Sequence, residues 1–359
     1  MFDLRSSRRW SAGHSARLTG FLLILAAVGA LSVARGGNAK ADEPISITVS
    51  AATDTRTYDG TTSSSGIPSI TLGTLATDHV LDGCTQTFNT ATASSTPGNK
   101  TLTASGCVVL DSANGYADVT DGYIISYVTA TGTINKRAIT VTAATATKTY
   151  DGTTTSSGSP TRTSGTLVSG HSLSGCSQTF NSASASASAN DKTLTASGCS
   201  VLDALLVNRT ANYTITYDTA AGTINKRAIT VAAATDTKTY DGTTTSSGVP
   251  TLSSGTLVTN HNLSGCTQTF DSPAASASAG DKTLTASGCS VLDSGNSNAD
   301  VSLNYTITYP DTAEGTIDQA TLTVTADDDT ITYGDAEPTD FTFTDDLYGS
   351  DTWGTEPTC

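Results

Sequence analysis

The chain has 359 residues, of which 36% are hydrophobic and 6% aromatic, and its formal net charge is −15. A chain of this length forms about two to four small domains or one large one, and the low apolar content limits each to a thin core. The acidic balance excludes nucleic acid and anionic bilayers as partners, because both require clusters of lysine and arginine.

The first 41 residues have the pattern of an export signal. A basic N-terminal region precedes an apolar segment over residues 18–34. Ala39-Lys40-Ala41 then places small residues at the positions that signal peptidase recognises before its cleavage site. We predict cleavage after Ala41. An uncleaved membrane anchor is the alternative, since the apolar run is at the lower edge of spanning length. Six of the 18 basic residues and one acidic residue lie in this leader, so the mature chain is even more acidic. We expect no membrane insertion of the mature chain.

A heptapeptide recurs through the rest of the chain. It reads RTYDGTT at 56–62 and KTYDGTT at 148–154 and 238–244, and an altered copy has Tyr-Gly-Asp at 333–335. Successive tyrosines are 92, 90 and 93 residues apart, which is the size of a small domain rather than of a solenoid unit. The predicted organisation is a signal peptide at 1–41, repeat 1 at 42–136, repeat 2 at 137–226, repeat 3 at 227–318 and a truncated fourth unit at 319–359.

Each copy of the motif has a structural and a functional interpretation. An Asp-Gly pair after a strand forms a turn, with the glycine at positive φ and the carboxylate bonded to backbone amides. An aromatic residue beside an acid can also contact calcium or another ligand. We favour the turn, with the tyrosine ring packed at the edge of the core. The residues of these predicted structural turns are Tyr58, Asp59, Gly60, Tyr150, Asp151, Gly152, Tyr240, Asp241, Gly242, Tyr333, Gly334 and Asp335.

The segments between the motifs alternate in hydrophobicity with a period of two. The segments AITVTA from Ala138 and NYTITY from Asn212 place isoleucine, valine and tyrosine on one face and threonine on the other. This alternation is typical of half-buried strands. Since the mature chain has no apolar stripe with helical spacing, we predict an all-β fold with short helices or none. The short connection GTINKRAIT predicts repeats that nearly touch end to end, as in a semi-rigid rod.

Six cysteines form three pairs with a constant separation of 23 residues. In an exported chain this pattern indicates disulfides, and two thiolates with one histidine per repeat are too few for a zinc site. Between Cys176 and Cys199 lies the serine and alanine tract NSASASASAN, so we expect two strands running out and back with the disulfide near their open end. The predicted pairs are Cys84 with Cys107, Cys176 with Cys199, and Cys266 with Cys289, which leaves Cys359 without a partner.

A repeated histidine is the strongest candidate for catalysis. His79, His171 and His261 each precede a cysteine by five residues. A nucleophilic cysteine needs a free thiolate, however, and the predicted disulfides leave none. We therefore interpret the histidines as loop or strand-edge residues, and we predict no catalysis, no cofactor and no metal site. The aspartates within 327–329 and 345–351 lack the spacing of a calcium loop and favour an acidic surface.

These motifs together resemble a known family. The KTYDGTT motif after an ITV strand, the NYTITY strand and the connection GTINKRAIT resemble the YDG domain of large secreted bacterial proteins. The last unit, with TVTADDDTITYGDAEP, resembles the related MBG domain of the YGX type. Such domains occur in tandem in filamentous-haemagglutinin-like proteins and other surface adhesins. The resemblance covers nearly all of residues 47–358 and implies small β-grasp-like or immunoglobulin-like domains of about 90 residues, arranged end to end.

The resemblance also implies a function. The chain would be a secreted or cell-surface bacterial protein whose repeats act as adhesin modules or as a stalk, without catalysis. Its partners would be glycans or proteins of a host or neighbouring cell. The alternative is a passive spacer for an enzymatic or binding domain encoded beyond Cys359, because the fourth unit holds less than half of a repeat. Ice or mineral binding by Thr-x-Thr faces is a third interpretation with less support.

Overall fold

A computed structural model describes residues 43–339 and 342–357. The predicted leader with its cleavage site at Ala41, and the unpaired Cys359, lie outside these described residues. The described residues from Ile45 onward form one compact unit.

Repeat 1 consists of ten short strands in three small sheets, with strand orders β3-β1-β9, β2-β10-β6-β5 and β4-β7-β8. The strands are β1 Ile45–Ser50, β2 Asp54–Thr57, β3 Ser69–Leu72, β4 His79–Asp82, β5 Thr85–Phe88, β6 Lys100–Ser105, β7 Val108–Asp111, β8 Ala117–Asp118, β9 Tyr123–Val128 and β10 Ala130–Asn135. The chain passes from the first sheet to the second twice, once from β1 to β2 and once from β9 to β10. Because β1 pairs parallel with β9 and β2 parallel with β10, the two crossings run side by side.

Repeats 2 and 3 have closely similar strand pairings. The strands of repeat 2 are β11 Arg137–Thr142, β12 Ala146–Thr149, β13 Thr161–Gly165, β14 Ser172–Ser174, β15 Ser177–Phe180, β16 Lys192–Ser197, β17 Ser200–Leu202 and β18 Tyr213–Asn225. Those of repeat 3 are β19 Arg227–Ala232, β20 Asp236–Thr239, β21 Thr251–Ser254, β22 His261–Ser264, β23 Thr267–Phe270, β24 Lys282–Ser287, β25 Ser290–Asp293, β26 Ala299–Asp300, β27 Tyr305–Asp311 and β28 Ala313–Asp318. In repeat 2 a single long strand, β18, pairs within both sheets, where repeats 1 and 3 use two strands.

The fourth unit contributes two described strands, β29 Val324–Ala326 and β30 Phe343–Asp345, which pair antiparallel. The helices of the described residues are 3₁₀ turns of three residues each, at Ser112–Asn114, Thr120–Gly122, Thr210–Asn212, Ser294–Asn296 and Ser302–Asn304. The predicted all-β fold is therefore confirmed. Turns of this length are far too short to span a bilayer, and the described residues include no candidate membrane-spanning helix.

The core of each repeat consists of the residues that alternation places inward. Ile139 and Val141 of β11 are 2% and 0% exposed, and Phe180 and Leu194 lie opposite each other on β15 and β16. Gly222, in the GTI sequence, packs against these last two side chains. A Cβ atom at Gly222 would lie 2.7 Å from Phe180 Cε1, so this position requires glycine for close packing.

The three predicted disulfides are present, joining Cys84 to Cys107, Cys176 to Cys199, and Cys266 to Cys289. In repeat 2 the disulfide lies at the open end of the β15-β16 hairpin, where Ser177 pairs with Ser197. The serine and alanine tract forms the loop at the other end, as the sequence predicts. Structural disulfides persist in oxidising compartments, so the bonds indicate an extracellular or otherwise oxidising environment.

A buried glutamine joins the two sheets of each repeat, and sequence reasoning did not identify it. Gln178 is 2% exposed. Its side-chain oxygen accepts a hydrogen bond from Ala144 N–H at 2.7 Å, and its nitrogen donates to Ala144 O at 2.8 Å and Ser156 Oγ at 3.0 Å. It thereby satisfies backbone groups between β11 and β12, where the chain changes sheets. Gln86 and Gln268 occupy the same position in repeats 1 and 3.

Candidate functional site at the repeat junctions

The Tyr-Asp-Gly motif forms a turn directly after a strand. In repeat 2, Asp151 Oδ1 accepts hydrogen bonds from Thr153 N–H and Thr153 Oγ1, both at 2.9 Å, and Gly152 has a φ of +77°. Lys148 Nζ lies 2.7 Å from the same carboxylate and 5.5 Å from the centre of the Phe180 ring. The ammonium group of Lys148 therefore links the carboxylate of the turn to an aromatic ring in the core of the same repeat.

Repeats 1 and 3 have the same turn. Asp59 forms an ion pair with Arg56, and Asp241 Oδ1 lies 2.7 Å from Lys238 Nζ. Both carboxylates also accept hydrogen bonds from the threonine two residues later.

The altered copy in the fourth unit differs from the other three. Tyr333 is fully exposed, Gly334 has a φ of +104°, and Asp335 N–H donates to Thr332 O at 3.0 Å. The chain turns here too, but the tyrosine packs against none of the residues that the structure describes.

The carboxylate of Asp241 gives the turn a measurable signature. The hydrogen bond from Lys238, with further bonds from Thr243, lowers its pKa from 3.8 to about 2. Because this folded-state pKa lies below the unfolded value, the interaction stabilises the fold above about pH 4 and is lost as the pH falls through about 2. An NMR titration of the Asp241 carboxyl carbon should therefore have its midpoint near pH 2.

Lys238→Met is the matched variant for this titration. It removes the ammonium group, so the midpoint of Asp241 should rise towards its ordinary value. Asp300, whose pKa is lowered by a hydrogen bond from Ser302, serves as the internal control and should not move. A midpoint for Asp241 that stays near pH 2 in the variant would contradict the assignment of the shift to Lys238.

The tyrosine of each complete motif packs against the following repeat, and we call each such contact a junction. At the first junction Tyr58 is 4% exposed and meets Tyr213 of repeat 2 edge to face, with ring centres 5.6 Å apart. At the second, Tyr150 meets Tyr305 of repeat 3 at the same 5.6 Å. The ring was expected at the edge of the core. The structure shows that the neighbouring repeat covers that edge.

A histidine and a backbone amide hold the receiving tyrosine. Tyr213 Oη accepts a hydrogen bond from Val168 N–H at 3.0 Å and lies 2.8 Å from His171 Nδ1. The hydroxyl thus contacts both the backbone amide and the imidazole of its own repeat. Each repeat thus positions its tyrosine internally. The equivalent pairs are His79 with Tyr123 and His261 with Tyr305, each at 2.7 Å.

The histidines lie where the sequence predicts, at strand edges. His79 begins β4, His261 begins β22, and His171 directly precedes β14. The structure does not bring a histidine together with a free thiol in the repeats, because Cys176 and its counterparts are disulfide-bonded. The imidazoles instead contact tyrosine rings.

Two polar side chains of the following repeat hold each of the first two junctions, and neither was identified from the sequence. Arg137 Nη1 donates to Tyr58 O at 3.2 Å. Asn212, which is 5% exposed, accepts a hydrogen bond from Ala93 N–H at 2.8 Å, within the loop between β5 and β6 of repeat 1. Repeat 2 therefore binds this loop of repeat 1. At the second junction Arg227 donates to Tyr150 O at 3.2 Å and Asn304 accepts from Ala185 N–H at 2.8 Å.

The glycine of the motif also takes part in the junction. A Cβ atom at Gly60 would lie 3.3 Å from Val168 Cγ1, and one at Gly152 would lie 3.0 Å from Val258 Cγ1. The positive φ of the turn and the close approach of the next repeat both favour glycine here.

The junction between repeat 3 and the fourth unit is built differently. The ring of Tyr240 meets Tyr348 with centres 5.9 Å apart, and its hydroxyl donates to Asp351 Oδ2 at 2.9 Å. This hydrogen bond to a carboxylate raises the pKa of Tyr240. Two tyrosine rings again meet at this junction. Here, however, the receiving ring is that of Tyr348, which lies in the loop after β30.

The acidic residues of the fourth unit that the structure describes lie at the surface. Residues 327–329 are exposed, and Asp345 accepts a hydrogen bond from Trp353 Nε1 at 2.8 Å. Over residues 43–339 and 342–357, no group of three or more His, Cys, Asp or Glu side chains is arranged to hold a metal ion.

No model of a known protein family matches this chain, and no curated protein sequence is significantly similar to it. Its function is therefore inferred from its own repeats. The two internal junctions agree in ring separation, in hydrogen-bond partners and in the identity of every residue named at them, including Ala93 and Ala185, whose backbone amides take part.

Proposed function

We propose that this chain is a secreted bacterial surface protein whose tandem repeats act as a stalk or as adhesin modules, without catalysis. The observation that carries the proposal is the use of the Tyr-Asp-Gly motif. Tyr58 and Tyr150 are 4% and 5% exposed, so neither ring is available to a ligand from solvent. The most distinctive residues of each repeat instead hold the next repeat, and a stalk needs such coupling to stay stiff.

Two further features support an extracellular location of the protein. The three disulfides suit an exported protein with thin cores, because cross-links offset the small apolar area that such domains bury. The resemblance of the motifs to YDG and MBG domains points to the surface adhesins in which those domains occur in tandem. The partners that we propose are glycans or proteins of a host or neighbouring cell.

A binding experiment separates the two roles. The full chain, produced by secretion with its disulfides intact, is labelled and applied to a glycan array, to immobilised extracellular-matrix proteins and to intact cells. An adhesin should bind at least one of them saturably, and unlabelled protein should compete. If the protein binds none of these surfaces, the adhesin hypothesis is contradicted and only the stalk hypothesis is retained.

A second arm tests the stalk role. Small-angle X-ray scattering of the chain should indicate one preferred arrangement of the repeats, and Tyr58→Ala combined with Tyr150→Ala should broaden the distribution of distances. The control is Tyr116→Ala, which removes a tyrosine that is 63% exposed. Scattering that is equally broad in all three proteins would contradict a stiff stalk.

A further inference from the structure

A cleft lies beside the motif's tyrosine at the second junction. Its volume is about 450 Å³, and both repeats line it. Repeat 2 contributes Tyr150 and Asp151, and repeat 3 contributes Asn260, His261 and Asp293. A cavity of this size can hold a small organic group. Because the lining combines a hydroxyl, two carboxylates, an amide and an imidazole, the cleft suits a polar ligand.

The hydroxyl of Tyr150 lacks a hydrogen-bond partner among the described residues, although the side chain is only 5% exposed. Burial raises the pKa of this hydroxyl, and the negative groups around it, among them Asp293 and Asp151, raise it further. Both carboxylates also line the cleft, so the hydroxyl lies on the cleft side of a ring that repeat 3 otherwise covers. Since buried polar groups are normally hydrogen-bonded, the unpaired hydroxyl indicates a ligand.

Asp293 presents a second unpaired oxygen to the cleft. Its Oδ1 accepts a hydrogen bond from Gly295 N–H at 2.9 Å, and its Oδ2 lies 3.9 Å from His261 Nε2, too far for a hydrogen bond. The charge of Asp151, by contrast, is balanced by Lys148. The cleft therefore carries one carboxylate that no lysine or arginine pairs with in the part of the chain that the structure describes.

At the first junction the chain itself supplies a cation at the equivalent place. Asp203 corresponds to Asp293, and its Oδ2 accepts a hydrogen bond from Arg209 Nε at 2.8 Å. Burial raises the pKa of Tyr58, and the positive charge of Arg209 acts in the opposite direction. The guanidinium group therefore lies close to both the carboxylate and the motif's hydroxyl.

Repeat 3 has a valine where repeat 2 has this arginine. Arg209 N–H donates to Val201 O at 2.7 Å. Val301 N–H donates to the matching oxygen of Val291 at 2.9 Å, so Val301 stands at the position of Arg209. A valine side chain cannot pair with a carboxylate. The second junction thus has a cleft and an unpaired carboxylate where the first has a guanidinium group.

We propose that the cleft of the second junction binds the guanidinium group of an arginine side chain on a partner protein. The first junction defines this chemistry, because the chain's own Arg209 makes the contact there. A guanidinium group is planar and has several N–H donors, so it can donate to Asp293 Oδ2 and Tyr150 Oη together. The formal net charge of −15 attracts a basic partner and disfavours a second copy of this chain.

The experiment uses the isotopically labelled full chain, followed by NMR, and N-acetyl-arginine amide as the probe. At about pH 8, where imidazole is neutral, the probe should shift the amide signals of residues 258–261 and 293–295 saturably. The corresponding residues of the first junction, 168–171 and 203–205, should not shift. N-acetyl-citrulline amide has nearly the same shape without the charge, so it should bind at least about tenfold more weakly.

Two variants of the second junction test the contacts. Asp293→Asn keeps an acceptor for Gly295 N–H but removes the charge, so it should weaken binding of the arginine probe at least about tenfold. Tyr150→Phe removes only the unpaired hydroxyl and should weaken binding by about threefold. Asp118→Asn is the matched control, because it changes the net charge equally at a turn of repeat 1, and it should bind as the unchanged protein does.

Arg209→Val tests the equivalence of the two junctions. Repeats 1 and 3 have valine at this position, Val119 and Val301, so the fold should be retained. Without the guanidinium group Asp203 and Tyr58 lose their cation. The arginine probe should then shift the amide signals of the first junction as well.

Any of four results would overturn the proposal. They are no saturable shift at the second junction, equal binding of the arginine and citrulline derivatives, unchanged binding to Asp293→Asn and Tyr150→Phe, and no second site in Arg209→Val. The outcome is independent of the stalk or adhesin role, because binding of a single amino-acid derivative is measured without cells, glycans or matrix proteins.

Discussion

Tyr150→Ala is expected to lower the free energy of unfolding by about 3–5 kcal/mol, the usual cost of truncating a buried aromatic residue. The ring is 5% exposed and meets Tyr305 across the second junction, so its removal leaves a cavity between two repeats. Denaturant unfolding followed by circular dichroism should show a lower midpoint. It should also separate into steps, because repeats 2 and 3 no longer stabilise each other.

The matched control for this variant lies in the same chain. Tyr333 occupies the same place in the altered motif but is fully exposed, so Tyr333→Ala should change the free energy of unfolding by less than about 0.5 kcal/mol. If both variants lost the same stability, the burial of Tyr150 at the junction would not be the cause.

A double-mutant cycle distinguishes the contact between repeats from the contribution of Tyr150 to its own repeat. Tyr150→Ala, Tyr305→Ala and the double variant together measure the coupling of the two rings. An edge-to-face aromatic pair contributes about 0.5–1.5 kcal/mol beyond the area that it buries, so the double variant should lose less than the sum of the single variants. Strict additivity would show that the two rings do not interact across the junction.

Replacing both Cys176 and Cys199 by serine is expected to destabilise repeat 2 by about 3 kcal/mol, the chain-entropy value for a loop closed over a separation of 23 residues. The effect is large for a small domain because its core is thin and its total stability is modest. Limited proteolysis should detect it as faster cleavage within residues 181–191, the loop of the β15-β16 hairpin.

Reduction provides the control for the disulfide variant. With a reducing agent present, the unchanged protein and the variant should be cleaved in repeat 2 at similar rates. Mass spectrometry after alkylation without reduction should find all six paired cysteines of the unchanged protein protected. Modification of Cys176 under these conditions, or equal proteolysis of the two oxidised proteins, would refute the stabilising role.

The sequence predicts much of each repeat because the signals are local. Alternation between Ile139 and Val141 identifies a strand without knowledge of its neighbours, and Asp151-Gly152 identifies a turn from the backbone preferences of two residues. The constant separation of the cysteines places each disulfide at the end of a hairpin. These features depend on residues that are close together along the chain.

The side chains that the sequence does not reveal have partners far away along the chain. Arg137 and Asn212 are polar residues beside strands and have no pattern of their own, yet they bind backbone groups of the preceding repeat. Gln178 occupies an inward position of β15, and only the buried backbone of Ala144 explains why a polar side chain lies there. Repetition of these residues at equal positions was the one available signal.

By itself, then, the sequence determines an all-β chain of repeats with a turn at each Tyr-Asp-Gly motif and a disulfide on each long hairpin, since local geometry and spacing decide these features. Only the tertiary structure decides what the motif's tyrosine does. Its ring contacts Tyr213 or Tyr305 of the following repeat, and its carbonyl accepts from that repeat's arginine. The physical reason is that burial of an aromatic ring depends on which surface covers it, and here that surface belongs to the next repeat.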